Sequence, residues 1–213
     1  MPLLTINSSI IDSLKTNEIF PDVLDSFDPK GLLTISYGNS NEVALGNTLK
    51  VADTQTKPTF QLTLNSGLDT AGTESVNETD LFTLVMTDPD APSRTDKKWS
   101  EYAHYITTNI KLTSLTPDSE FISSTPLTEA GDEILPYHPP GPPLNTGKHR
   151  YVFVLYKQPN GHTNFVAPSD RPNWGYGQPA VGVRKWANSY GLVPFAVNFF
   201  QAENADNQKA KAD

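Results

Sequence analysis

The chain has no cysteine among its 213 residues. That excludes a disulfide framework, a thiolate metal site and a cysteine nucleophile together. Long apolar runs are missing too: the roughly 18 consecutive apolar residues of a membrane-spanning helix occur nowhere. The opening Met1-Pro2-Leu3-Leu4-Thr5-Ile6-Asn7 has neither a basic nor an apolar signal region, so secretion is not expected. Basic charge is scarce: 16 Lys+Arg against 24 Asp+Glu give a formal charge of −8 and a pI near 4.9. A nucleic-acid binder needs a basic face to displace counterions, and this composition argues against one. No Gly-x-Ser-x-Gly elbow and no His-Glu-x-x-His pair is present. What is left is a globular, intracellular chain, 37% apolar and 19% charged, of a length that suits one domain over 1–213.

Breakers are abundant. The chain has eighteen prolines and thirteen glycines, and nine of the prolines concentrate in Asp88–Pro92, Pro136–Pro143 and Arg171–Pro179. Between them lie short β-type runs at Leu32–Tyr37, Phe60–Leu64, Leu81–Thr87, Ala103–Ile110, Tyr151–Lys157 and Val193–Gln201. Nearly every position of Tyr151-Val152-Phe153-Val154-Leu155-Tyr156 is apolar, which predicts a strand buried on both faces. Leu62–Asn65 and Ile106–Ile110 alternate and predict half-exposed strands. Apolar spacing predicts short helices over Ile6–Leu14 and Val181–Ser189, the latter with Trp186 inward. The breakers interrupt the pattern too often for regular βαβ units, so the fold class is mainly β, with a few peripheral helices. The polar tail after Ala202 predicts a frayed end, and the opening residues 1–9 predict a flexible one.

Four histidines exist: His104, His138, His149 and His162. Asp88 and Asp90 follow a strand directly in Thr87-Asp88-Pro89-Asp90-Ala91-Pro92, where prolines fix φ and Ala91-Pro92 is a candidate cis bond. Such aspartates are commonly turn formers, and a strand histidine is commonly a satisfied core residue. Three functional readings stand beside that. Asp88, Asp90, His104 and His149 could form a carboxylate–imidazole metal site. An Asp–His pair could serve acid–base chemistry. Imidazoles, a tyrosine hydroxyl and main-chain N–H groups of the Pro136–Pro143 loop could line an anion pocket, a reading that requires no missing residue.

The blocks Thr87-Asp88-Pro89-Asp90-Ala91-Pro92-Ser93-Arg94, Trp99-Ser100-Glu101-Tyr102-Ala103-His104, Gly141-Pro142-Pro143 and Gly147-Lys148-His149-Arg150-Tyr151 resemble the phosphatidylethanolamine-binding protein family. Asp170-Arg171-Pro172-Asn173-Trp174-Gly175 and Lys57-Pro58-Thr59-Phe60-Gln61 resemble its fungal branch, whose members inhibit a vacuolar serine carboxypeptidase of the carboxypeptidase Y type. The resemblance covers about Ile10 to Glu203. It implies a β-sandwich with peripheral helices and a small pocket for phosphate-type head groups or other small anions, formed by Asp88, Asp90, Trp99, His104, Gly141, Pro142, His149 and Tyr151.

In that pocket His104 and Tyr151 would donate to the anion, and Asp88 would orient a histidine or accept a proton from a phosphate monoester or an ammonium head. His149 would close the rear wall, and Trp99 and Pro142 would be apolar sides. Binding should follow histidine protonation between about pH 5 and 8. The resemblance also implies non-covalent protease inhibition without catalysis, with Met1, Pro2, Leu3 and Leu4 as a reactive end. No cofactor or metal is implied, and the location is cytoplasmic or vacuolar. The rival reading is a module for phospholipid head groups or signalling proteins of kinase or Ras pathways. Three departures stand out. Pro2 disfavours an acetylated initiator end, the tail carries no aromatic over the pocket, and Trp99 stands where many relatives have tyrosine.

Overall fold

Strands β4 (Leu81–Asp88) and β8 (His149–Lys157) are buried at almost every position because both faces of their sheet are covered. The computed structural model describes residues 3–65, 76, 79–112, 122–127 and 131–209. It contains two antiparallel sheets. The first has strand order β2-β1-β3-β6, from β1 (Gly31–Tyr37), β2 (Asn41–Glu42), β3 (Thr59–Asn65) and β6 (Ile122–Pro126). The second has order β7-β5-β4-β8-β9, from β5 (Tyr102–Lys111), β7 (Asp132–Leu135) and β9 (Val193–Ala202) with β4 and β8.

The two-residue side-chain period assigns each strand's residues to a layer. Phe82, Leu84 and Met86 of β4 and Tyr151, Phe153 and Leu155 of β8 face the first sheet, meeting Leu33, Ile35, Phe60 and Leu62. Val85, Val152, Val154 and Tyr156 point the other way, onto helices. Those are α1 (Leu3–Thr16), the short kinked α2 (Ile19–Asp22) and α3 (Val183–Ser189), which bring Ile10, Leu14, Ile19, Val183 and Trp186. The second sheet is thus the middle layer of three. Burying a leucine- or phenylalanine-sized side chain stabilises a fold by about 1.5–3 kcal/mol, so most of the stability originates around that sheet.

The mainly β sandwich agrees with the sequence reading, and the six β runs and the helix carrying Trp186 lie where they were expected. Several details differ. Helix α1 starts at Leu3, so Leu3 and Leu4 are helical rather than part of a flexible opening, while Met1 and Pro2 lie outside the described residues. Ile106–Ile110 is not half-exposed: Thr107 and Thr108 are buried, because β5 is interior to its sheet, between β7 and β4. Strands β2, β6 and β7 escaped the pattern because they are short edge pieces whose pairing comes from neighbours.

The tail holds a helix, α4 (Ala205–Lys209), instead of fraying. Asn207 is buried and its Oδ1 accepts from the Asn145 N–H at 2.9 Å, and Asn204 donates to the Pro142 carbonyl at 3.1 Å. The tail therefore braces the Gly/Pro-rich loop. Residues 210–213 lie outside the described residues.

Glu101 sits under the turn into α3, only 2% exposed. It follows a cis Ser100-Glu101 peptide; Phe20-Pro21 and Ala91-Pro92 are cis as well. A Cβ built on Gly182 would stand 2.6 Å from the Glu101 side chain, although the backbone there is extended and any residue could adopt it. Gly182→Ala is therefore expected to lose about 1–3 kcal/mol through overpacking, read as a lower urea midpoint.

Candidate functional site

A hollow of about 160 Å³ opens where the inter-sheet core reaches the ends of β4, β5 and β8. Residues at alternate strand positions line it: Tyr102 and His104 from β5, His149 and Tyr151 from β8, and Asp88 at the end of β4. Register explains His104. Met86 pairs with Tyr105 but Thr87 pairs with Ala103, leaving His104 as the extra residue of a bulge, a device that re-aims a side chain. The loop after β7 adds His138, Pro139, Gly141 and Pro143, and the turn after β4 adds Ala91 and Pro92. Trp99, 45% exposed with the Lys98 ammonium 5.0 Å from its ring centre, forms the rim.

The back of the hollow is a buried pair. His149 Nδ1 lies 2.8 Å from Asp88 Oδ2, and His149 Nε2 lies 3.0 Å from the Thr146 hydroxyl. Thr146 donates its own proton to the Pro143 carbonyl at 2.7 Å, so its oxygen is free to accept from Nε2. Burial works against a charged His149, but the Asp88 carboxylate and, farther off, Asp90 outweigh it and raise the imidazole above its ordinary value. Burial also raises the Asp88 carboxyl, against the pull of His149. One proton shared between Nδ1 and Oδ2 leaves the pair without net charge on either assignment.

His104 behaves differently. Its Nδ1 is 2.7 Å from the His138 carbonyl, which can only accept, so Nδ1 carries the hydrogen. Burial, with the positive charge of Arg171 adding a smaller push, brings its pKa down to about 3. The neutral ring therefore offers a bare Nε2 to the hollow. This differs from the expectation that His104 donates to an anion: between about pH 5 and 8 it is an acceptor, so a histidine protonation that binding follows in that range is not its own. The backbone locks the arrangement. His138 N–H donates to the His104 carbonyl at 2.8 Å, and the Arg171 guanidinium donates to the carbonyls of Ala103, His104 and Pro136 at 3.0, 3.1 and 2.8 Å.

Tyr151 stacks on Phe200 at 5.1 Å and meets the edge of His104 at 5.3 Å. Burial, followed by the charge of Asp88, pushes its hydroxyl pKa well up, so it stays a neutral donor. Burial raises the Tyr102 hydroxyl pKa as well.

Of the eight pocket residues named from sequence, the hollow brings together Asp88, Trp99, His104, Gly141, His149 and Tyr151. Asp90 and Pro142 do not line it. Asp90 is fully buried and grips Arg150 bidentately at 2.8 and 2.7 Å, while also accepting from the Arg150 N–H at 2.9 Å. Arg150 then reaches Asp22 at 2.7 Å and the carbonyls of Asn17 and Glu18, riveting the β4 turn to the helical layer. Pro142 is buried behind the loop, with its carbonyl committed to Asn204. The carboxylate–imidazole metal set therefore does not converge: Asp90 is taken by Arg150, and Asp88 by His149. Among the described residues no group of three or more His, Asp or Glu is arranged to hold a metal ion.

Sequence reasoning did not assign Tyr102 and His138. Tyr102 was recoverable, because it stands two residues before His104 on the same strand and shares its face.

The family model described as phosphatidylethanolamine-binding protein matches residues 39–200. The chain is 45% identical over 206 residues to the carboxypeptidase Y inhibitor of Saccharomyces cerevisiae, covering 91% of this chain and 94% of that protein. It is 31% identical over 199 residues to the protein TERMINAL FLOWER 1 of Arabidopsis thaliana, covering 93% and 94%. Its fold matches the crystal structure of a carboxypeptidase Y inhibitor complexed with the cognate proteinase at a TM-score of 0.85, with 44% identity and 93% and 96% of the two chains covered. A phosphatidylethanolamine-binding protein from Plasmodium vivax shares the fold at a TM-score of 0.67 and 22% identity. With the signature segments folded around one hollow and these likenesses running along nearly its whole length, the chain belongs to the phosphatidylethanolamine-binding protein family.

Proposed function

We propose that this protein is a non-covalent inhibitor of a serine carboxypeptidase of the carboxypeptidase Y type, and that its hollow takes a small phosphate-type anion. The observation that carries the first half is the likeness to the yeast inhibitor in both sequence and fold, the fold match being to a structure with the proteinase bound. The neutral donors of Tyr102 and Tyr151 at the end of the core support the second half. Such groups stay uncharged at neutral pH and act over short distances, so the net charge of −8 does not prevent anion binding.

The protease is contacted first by the opening residues Met1, Pro2, Leu3 and Leu4, with the hollow's face and its exposed Trp99 as a second surface. Insertion of Leu3 and Leu4 into a protease cleft requires the first turn of α1 to unwind, which is feasible because helix ends are weakly held.

Residual carboxypeptidase Y activity, measured with the full chain and with a chain lacking residues 1–6, tests this. Inhibition by the full chain that weakens at least about tenfold on truncation is the expected result, since about 1.4 kcal/mol of contact corresponds to that factor. Equal inhibition by both would remove the opening residues from the contact. No inhibition by either would leave the head-group or signalling module.

A further inference from the structure

The hollow's charge inventory limits what can occupy it. No lysine or arginine side chain lines it. The nearby cations are engaged elsewhere: Arg150 with Asp90 and Asp22, Arg171 with three main-chain carbonyls, and Lys98 over Trp99 at the rim. The Asp88–His149 pair carries no net charge, and Tyr102 and Tyr151 are neutral. His138 lies at the mouth, where burial and Arg171 hold its imidazole below its ordinary value. The other buried ring, His104, presents an acceptor, its only hydrogen being fixed on the His138 carbonyl. A doubly charged phosphate would meet no positive charge, and one of its oxygens would face the lone pair of Nε2.

We propose that the hollow selects a singly charged phosphate that still carries one proton, a phosphomonoester monoanion, whose P–O–H donates to His104 Nε2 while its other oxygens accept from Tyr151 and Tyr102. This rests on the reading of the hollow as an anion site and narrows its ligand. The ligand brings the proton that the protein withholds. A phosphodiester has the same single charge but no P–O–H, so it lacks the donor. A bare acceptor nitrogen facing a phosphate oxygen is the kind of unpaired polar contact by which sites reject a near-identical ligand.

Methyl phosphate and dimethyl phosphate, titrated into the full-length protein near pH 5 and near pH 7.5 and followed by NMR, separate the cases. The second ionisation of a monoester falls near pH 6, so its monoanion becomes scarce, by a factor of about thirty, between those conditions. Methyl phosphate is expected to bind at least about tenfold more tightly at the lower pH and to outcompete dimethyl phosphate there. The ring-nitrogen shift of His104 Nε2 should move in the direction of an accepted hydrogen bond, without the loss of lone-pair character that protonation would cause.

Two results would overturn the inference. One is dimethyl phosphate gaining affinity in parallel with methyl phosphate, which would place the titrating proton on the protein. The other is methyl phosphate binding as well near pH 7.5 as near pH 5. Binding of neither ester at either pH would instead remove the anion site itself. Short-chain phosphatidic acid in a third arm distinguishes sources: tighter binding than methyl phosphate assigns a lipid head, and equal binding assigns a free ester.

Discussion

Glu101→Gln is expected to be several kcal/mol more stable than the parent protein near pH 8, and about equal to it near pH 4. Burial lifts the Glu101 carboxyl from its ordinary 4.5 to about 8, against hydrogen bonds from Thr87 and the Val183 N–H that favour the charged form. The protonated form has its bonds ready-made. Glu101 Oε2 lies 3.0 Å from Thr87 Oγ1, which also receives the Trp174 indole N–H at 3.0 Å and has the Tyr102 carbonyl 3.3 Å away to accept its own proton. The folded chain thus retains a proton that the unfolded chain releases. Stability from this group is complete below about pH 4.5, falls as pH rises toward 8, and is gone above it.

Each pH unit of that window corresponds to about 1.4 kcal/mol, so the full loss is on the order of 4–5 kcal/mol. A glutamine donates to Thr87 and accepts from Val183 at any pH, so it removes the dependence. Urea unfolding of both proteins across this range provides the measurement, and parallel profiles for parent and variant would refute the buried proton.

Asp90→Ala is expected to cost about 3–5 kcal/mol, since it strands a buried guanidinium with only Asp22 and two carbonyls. Replacing Arg150 by methionine in the same chain should recover much of that loss, because exchanging both members of a buried ion pair for apolar groups is often close to neutral. The double-mutant comparison is decisive here. If Asp90→Ala leaves the unfolding midpoint where it was, the carboxylate is not held by Arg150 and returns to the candidate ligand set.

Both predictions concern residues the sequence made visible but did not sort. The centre of the middle sheet was legible because β-branched and aromatic residues fill most of Tyr151–Tyr156 in β8 without the alternation of a half-exposed strand. His149 and Tyr151 were legible as a pair facing one way. The same alternation turns Arg150 the opposite way, into the helical layer, where an arginine requires a carboxylate; Asp90 answers that requirement. The turn between Asp88 and Asp90 hides their divergence. Their shared residue type suggested a shared task, whereas one ends a strand and the other leads into the turn.

The bulge at His104 left no trace in the pattern, since an inserted residue is recognised only against its partner strand. The protonation state of His104 was out of reach for a similar reason. It depends on a carbonyl 34 positions away, brought within 2.7 Å by the fold. The α4 segment looked like a polar end because its holding contacts are asparagine side chains bonded to loop backbone, with no apolar residue to signal them.

Tyr151 belongs at once to the hollow and to the packed interior between the sheets, lying against Phe200. A small guest seated on it extends the interior outward instead of merely decorating the exterior, and the unravelled polypeptide has no equivalent seat. Occupancy and heat resistance are consequently linked by mass action: each tenfold excess of guest over its dissociation constant adds about 1.4 kcal/mol once the seat is full. Melting curves collected across a panel of metabolites can therefore rank natural occupants without a protease assay, even while the guest is still unidentified.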